Sequence, residues 1–150
     1  MLKERTHDYL KYWRVIRYWV KSQHKVSQAD LDIILFLYSE KYFSRVKFQE
    51  FNELVSWDRK RFSKLVTNGW VEVFRKGGDG LKELYQLSFK GIRLVTNVYQ
   101  ILDGKEIPTN SSSVAPMFAK NVSYNDKVYR NMLKRMTAEW RANVYVKPKD

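Results

Sequence analysis

KLVTNGWVEVFRKGGDGLKELYQLSFKG, residues 64–91, changes its period twice, and its reading decides the fold. Up to Asn68 it closes a helix whose Phe62, Leu65 and Val66 fall on one side. Gly69 then stands where a left-handed C-cap belongs. Trp70, Val71, Val73 and Phe74 read as a strand, and so do Leu84, Tyr85 and Leu87. Between them lies Arg75 to Lys82, where three glycines in four residues mark a flexible hairpin tip. Ser88 caps a long helix to Leu102, closed by Gly104, with Ile92, Val95, Val98, Tyr99 and Leu102 at helical spacing.

Upstream, Ser27 caps a helix with Asp30 three residues on, and Leu31, Ile34, Leu35 and Tyr38 form its core face. Lys47 to Val55 places Phe48, Phe51 and Leu54 on one stripe, and Ser56 caps a helix from Trp57 to Asn68. Three short helices followed directly by a hairpin is the winged helix order, in which the second and third helices make the helix-turn-helix and the hairpin is the wing. Over residues 27–102 the chain resembles the MarR-type (multiple-antibiotic-resistance-regulator) family. The likeness rests on the leucine-rich helix at Leu31 to Leu37, on Lys64-Leu65-Val66-Thr67-Asn68-Gly69-Trp70-Val71, and on Tyr85-Gln86-Leu87-Ser88-Phe89-Lys90-Gly91. The resemblance implies a dimeric DNA binder whose first and last helices build the dimer. The family's Asp-x-Arg wing sequence is absent: Asp79 is followed by Gly80 and Leu81, with Lys82 one place late.

The outer segments are helical too. Thr6 or Asp8 can cap a first helix to about Ser22, with Leu10, Trp13, Ile16 and Val20 on its apolar face, widened by Tyr9, Tyr12 and Trp19. Lys11, Arg14, Arg17 and Lys21 fall on the other side. Residues 105–116 hold two prolines and Ser111-Ser112-Ser113 and read as a linker loop. Ser123 with Asp126 opens a further helix carrying Val128, Met132, Leu133, Met136 and Trp140. The expected division is therefore 1–104, a winged helix-turn-helix domain with its N-terminal helix; 105–116, the linker; and 117–150, a C-terminal helical extension. The fold class is α+β, mainly α: a winged helix-turn-helix with extra N- and C-terminal helices. Two broad apolar faces beyond the winged core would be an unusual patch on a monomer. Trp13, Ile16, Val20, Met132, Met136 and Trp140 are accordingly the expected homodimer interface.

Composition narrows the function. The chain has 150 residues, 44% of them hydrophobic, enough for a real core. It has no cysteine, which removes disulfides and thiolate metal sites. Charges at Lys11, Arg14, Arg17 and Lys21 interrupt any signal core, and the longest uncharged apolar run, Ile33 to Tyr38, is far too short to span a bilayer. A cytoplasmic protein without a membrane partner is expected. His7 and His24, the two histidines, lie 17 residues apart with no metal-binding pattern, and the acids are scattered. No enzymatic activity, no cofactor and no metal are expected.

The net charge of +12 is uneven. It is +5 over residues 1–26, −2 over 27–56, +4 over 57–76, zero over 77–104 and +5 over 105–150. Such a field attracts a polyanion. The third helix supplies Arg59, Lys60, Arg61, Ser63, Lys64 and Thr67, types that suit base edges and phosphates in the major groove. Arg75, Lys76 and Lys82 flank the wing tip and suit the DNA backbone. The expected function is transcriptional control through duplex DNA, bound as a homodimer. The alternative is a winged helix used as a protein-protein interaction or structural module, for example in a phage particle or larger assembly, with a protein partner reached through the C-terminal extension.

Overall fold

The computed structural model describes residues 8–51, 59–108 and 122–145. They form α1 (Tyr9–His24), α2 (Gln28–Leu37), a single 3-10 turn (Tyr38–Glu40), α3 (Arg45–Glu50), α4 (Arg59–Thr67), β1 (Val71–Arg75), β2 (Leu84–Leu87), α5 (Phe89–Leu102) and α6 (Tyr124–Tyr145). The chain gathers into two compact units: residues 26–96, and residues 1–25 together with 97–150. The linker expected at 105–116 is described only as far as Pro108 and is non-helical there.

Residues 26–96 have the winged helix order of helices, antiparallel hairpin and following helix. Local chemistry sets the boundaries. Ser27 accepts the Asp30 N–H to start α2, and Ser44 accepts the Lys47 N–H to start α3. At the end of α4, Gly69 has φ +81°, its N–H reaches the Val66 carbonyl, and the Trp70 N–H reaches Leu65. This paired closure satisfies two orphan carbonyls and turns the chain straight into β1. Leu54, Ser56 and Trp57 lie outside the described residues.

In the hairpin Val71 faces Leu87, Glu72 faces Gln86 and Val73 faces Tyr85; the register then slips so that Arg75 faces Leu84, leaving Phe74 unmatched. The glycine-rich tip is tighter than a flexible loop. Gly78 and Leu81 exchange both backbone hydrogen bonds, at 3.1 and 2.9 Å, around Asp79 and Gly80, which have φ +49° and +81°. Positive φ at both central residues is the two-residue turn that suits strand twist, and Asp-Gly is a preferred sequence for it. A third segment joins the sheet: Phe43 and Tyr85 exchange backbone hydrogen bonds at 3.0 and 2.8 Å.

The interior of this unit is aromatic. Phe62 meets Phe48 edge-on at 4.8 Å between centroids and Tyr85 edge-on at 4.9 Å, and Phe43 lies beside both Phe48 and Tyr85 at 6.4 Å. Leu31, Ile33, Ile34, Leu37, Leu65, Trp70 and Val71 are buried with them. Of the core face expected on α2, Leu35 is half-buried and Tyr38 exposed.

The face expected on α5 is corrected. Leu94, Val95, Val98 and Ile101 are buried, while Ile92 and Tyr99 are exposed. Both stripes have helical spacing, so periodicity cannot choose between them. Close packing at Gly91 chooses: a Cβ there would lie 2.8 Å from the Trp70 carbonyl oxygen. Only that bare position brings the Leu94–Val95 side against the rest of the unit.

In residues 1–25 with 97–150, α1 and α6 run antiparallel against each other. Tyr12 meets Glu139 and Trp140, and Tyr18 meets Asp126 and Tyr129. Asp8 caps α1 by accepting the Lys11 N–H, and Ser123 caps α6 by accepting the Asp126 N–H. On α1 the buried side is Tyr12, Val15, Ile16, Trp19 and Val20; Leu10, expected on the apolar face, is 78% exposed. On α6 it is Leu133, Met136 and Trp140, and Val128 is exposed. No described helix is long and apolar enough to cross a membrane.

Candidate nucleic-acid interface

Helix α4 turns Phe62 and Leu65 into the aromatic core, which decides what its other side presents. Lys60, Ser63, Lys64 and Thr67, at i, i+3, i+4 and i+7, are all exposed and form one stripe about 10 Å long at 1.5 Å per residue. Among the described residues neither lysine has a carboxylate within ion-pair distance. The stripe thus offers two unneutralised ammonium groups alternating with two hydroxyls, a set that can reach phosphates and base edges. Arg59 is the first residue of α4, and its side chain lies outside the described part.

Arg61 does not share this stripe. Its Nη1 donates to Asp30 Oδ1 at 3.0 Å, and both side chains are largely covered. Asp30 is the one buried charged residue among those described, and Arg61 is the cation set against it, tying α4 to the first turn of α2. The pair has a structural task, since an aspartate buried without its counter-charge would be costly.

The wing residues divide in the same way. Arg75, Lys76 and Lys82 are all exposed, but Arg75 Nη2 donates to the Lys82 carbonyl at 2.9 Å and braces the hairpin across its two arms. Lys76 and Lys82 have no carboxylate partner among the described residues.

Three features of this unit leave no periodic signal in the sequence. Lys90 Nζ donates to the Asn68 carbonyl at 3.0 Å and sits 4.1 Å above the Trp70 ring, so it closes the C-terminal end of α4. The Arg45 guanidinium lies 5.0 Å over the Phe62 ring, on the outer side of the aromatic core. The unmatched Phe74 stacks on Tyr42 at 4.0 Å and 22°, both rings half-exposed. A bulged strand position re-aims its side chain, and here it sends a large ring outward.

Of the residues expected to form a dimer interface, Ile16, Val20, Met136 and Trp140 are buried within the single chain. Trp13 and Met132 are half-buried. The apolar faces of α1 and α6 meet within the chain, while Leu10 and Val128 stay exposed.

No family model matches the chain, and no curated protein matches it by sequence. Two solved structures are similar in shape. Mutant MarR from E. coli complexed with operator DNA is 17% identical over 84% of each chain, with a TM-score of 0.46. The reduced form of MarR from E. coli is 15% identical over 89% of this chain and 97% of that one, with a TM-score of 0.42. At these levels the functional reading depends on this chain's own residues. Among the described residues, no three His, Cys, Asp or Glu side chains come together as a metal site.

Proposed function

We propose that this protein binds duplex DNA through helix α4 and the hairpin, in transcriptional control. One observation carries the reading: Lys60, Ser63, Lys64 and Thr67 form a continuous exposed stripe on a helix whose opposite side is locked into the core. A helix held that rigidly presents its outer side chains with little ordering left to do on binding. Lys76 and Lys82 extend the charge to the wing, where contacts position the unit on the backbone without reading sequence. Arg61 and Arg75 serve the scaffold.

Binding as a homodimer would place two α4 stripes on one DNA face. With α1 and α6 closed on each other, such a dimer has Trp13 and Met132 to use from the expected set. Sedimentation at tens of micromolar distinguishes one α4 stripe per particle from two.

The test is a titration of duplex DNA with wild type and Lys60→Ala/Lys64→Ala at several salt concentrations. Each phosphate contact removed should lower the slope of log affinity on log salt by about 0.9. A selected duplex should outcompete random duplex for wild type. Equal slopes for the two proteins would remove α4 from the interface. A second reading, docking of a protein partner, is favoured by the exposed Tyr42–Phe74 stack on the hairpin; loss of a partner in Phe74→Ser with DNA binding intact would establish it.

A further inference from the structure

We infer that helix α1 carries a second phosphate-binding surface, a row of cations that holds the backbone of duplex DNA separately from the α4 stripe. This rests on the reading that the protein's polyanion is duplex DNA.

The row is Arg14, Arg17 and Lys21, with Lys25 following at the C-cap. Spacings of three and four residues put the three helical members on one line along the helix surface. Arg14 and Lys25 are exposed, and Arg17 and Lys21 half-exposed. Helix α1 contains no acidic residue between Tyr9 and His24. None of the four cations has a carboxylate within ion-pair distance among the described residues.

Three other cations of the same unit are treated differently. Lys11 and Arg135 pair with Glu139, and Arg141 pairs with Glu106. Acids are therefore available in this unit, and none of the described ones is set against the row. Like charges three and four apart work against a helix, and a bound polyanion removes that repulsion. The charge of the whole chain points the same way. Residues 1–25 with 97–150 hold sixteen Lys and Arg against seven Asp and Glu, a net +9. Residues 26–96 hold twelve against nine, a net +3. Most of the long-range attraction for a polyanion belongs to the terminal-helix unit rather than to the winged one.

An anionic membrane would also attract such a row, but a surface helix needs a free apolar face to enter the lipid boundary. Tyr12, Val15, Ile16, Trp19 and Val20, the apolar side of α1, are all buried inside the protein. Beside exposed Leu10 and half-buried Trp13, what α1 turns outward is mainly charge, which is what a phosphate backbone requires.

The experiment compares the full chain with Arg14→Gln/Arg17→Gln/Lys21→Gln, with Lys60→Gln/Lys64→Gln, and with Arg14→Lys/Arg17→Lys, each titrated with random-sequence duplex over a range of salt. The triple variant should lose about 2.7 from the log-log salt slope, about 0.9 for each contact. The arginine-to-lysine variant should keep the wild-type slope, since point charges serve phosphates. If the triple variant melts early, Arg14→Gln alone, at an exposed position, should still lose about 0.9. A wild-type slope in the glutamine variants of the row, alongside a reduced slope in Lys60→Gln/Lys64→Gln, would overturn the row and leave the α4 reading standing. Wild-type slopes in both would overturn the two together. Tighter binding to phosphatidylserine vesicles than to duplex, abolished in the triple variant, would assign the row to lipid and overturn its role on DNA.

Discussion

In residues 26–96 the interior is a run of rings, Phe43, Phe48, Phe62 and Tyr85, meeting edge-on, tilted or stacked. In residues 1–25 with 97–150, α1 and α6 pack apolar side chains and rings too, but two phenols set against carboxylates, Tyr12 to Glu139 and Tyr18 to Asp126, add to the tie. Ring contacts depend on burial and shape, and neither salt nor pH addresses them directly. Phenol–carboxylate contacts depend on which group holds the proton. Tyr12 is pushed up to about 12 by burial and then by its hydrogen bond to Glu139; Tyr18 is pushed up to about 12 by its hydrogen bond to Asp126 and then by burial. Glu139 is held below its ordinary value, first by the Tyr12 hydroxyl. One unit thus has its phenol–carboxylate contact, Tyr85 to Glu83, within a single strand end, and the other uses two such contacts to join separate helices, a tie that can be titrated.

The largest test of that contrast is Phe62→Ala. Phe62 is 1% exposed and lies between Phe48 and Tyr85. Its truncation should cost about 3–5 kcal/mol, read from urea unfolding, and should lose the α4 stripe with it. A cost under about 0.5 kcal/mol, the scale of a surface change, would mean that the rings do not hold this unit.

Gly91→Ala sharpens the comparison at intermediate size. The added methyl meets backbone, at 2.8 Å from the Trp70 oxygen, so α5 must move. Overpacking of about 1–3 kcal/mol outweighs the roughly 1 kcal/mol that alanine gains over glycine in a helix. The expected net loss is up to about 2 kcal/mol. A rise in melting temperature would show that α5 stands farther from the strand than described.

The most selective effect comes from Tyr12→Phe/Tyr18→Phe, which at neutral pH costs about 1 kcal/mol for each hydrogen bond. Both phenols have folded values above the ordinary 10.0. Their contribution is complete below pH 10.0 and disappears as pH rises toward about 12, because the unfolded tyrosines ionise first. Wild type should therefore lose stability across that window, and the double variant should lose less. Identical alkaline profiles would break the contrast between the two units.

How far the sequence reveals this molecule follows from the range of each interaction. Ser27, Ser123, Asp8 and Gly69 act within a few residues of themselves, and the helix ends they set are legible. The winged order is legible for the same reason, being a succession of local periods. The pairing of Phe43 with Tyr85 joins residues far apart in the chain and has no local signature. Arg61 looks in sequence like its neighbours Lys60 and Lys64; only the burial of Asp30, 31 residues away, separates it from them. The mutual cover of α1 and α6 is hidden likewise, since an amphipathic face does not say which other face meets it. The lysines of the stripe were readable because exposure there is the simple complement of Phe62 and Leu65.

The tie between α1 and α6 has a consequence for how the chain is made. Tyr12 and Glu139 are 127 residues apart, while the contacts of residues 26–96 are far more local. At about 5–20 residues per second, α6 leaves a ribosome roughly 6–24 s after α1. The winged unit can fold in that interval, whereas Tyr12, Val15, Ile16, Trp19 and Val20 must wait uncovered for their partner helix. The aromatic side of α1 is then the segment most open to chaperone binding or to association between nascent chains. Translation speed, through the length of that exposure, becomes a determinant of yield.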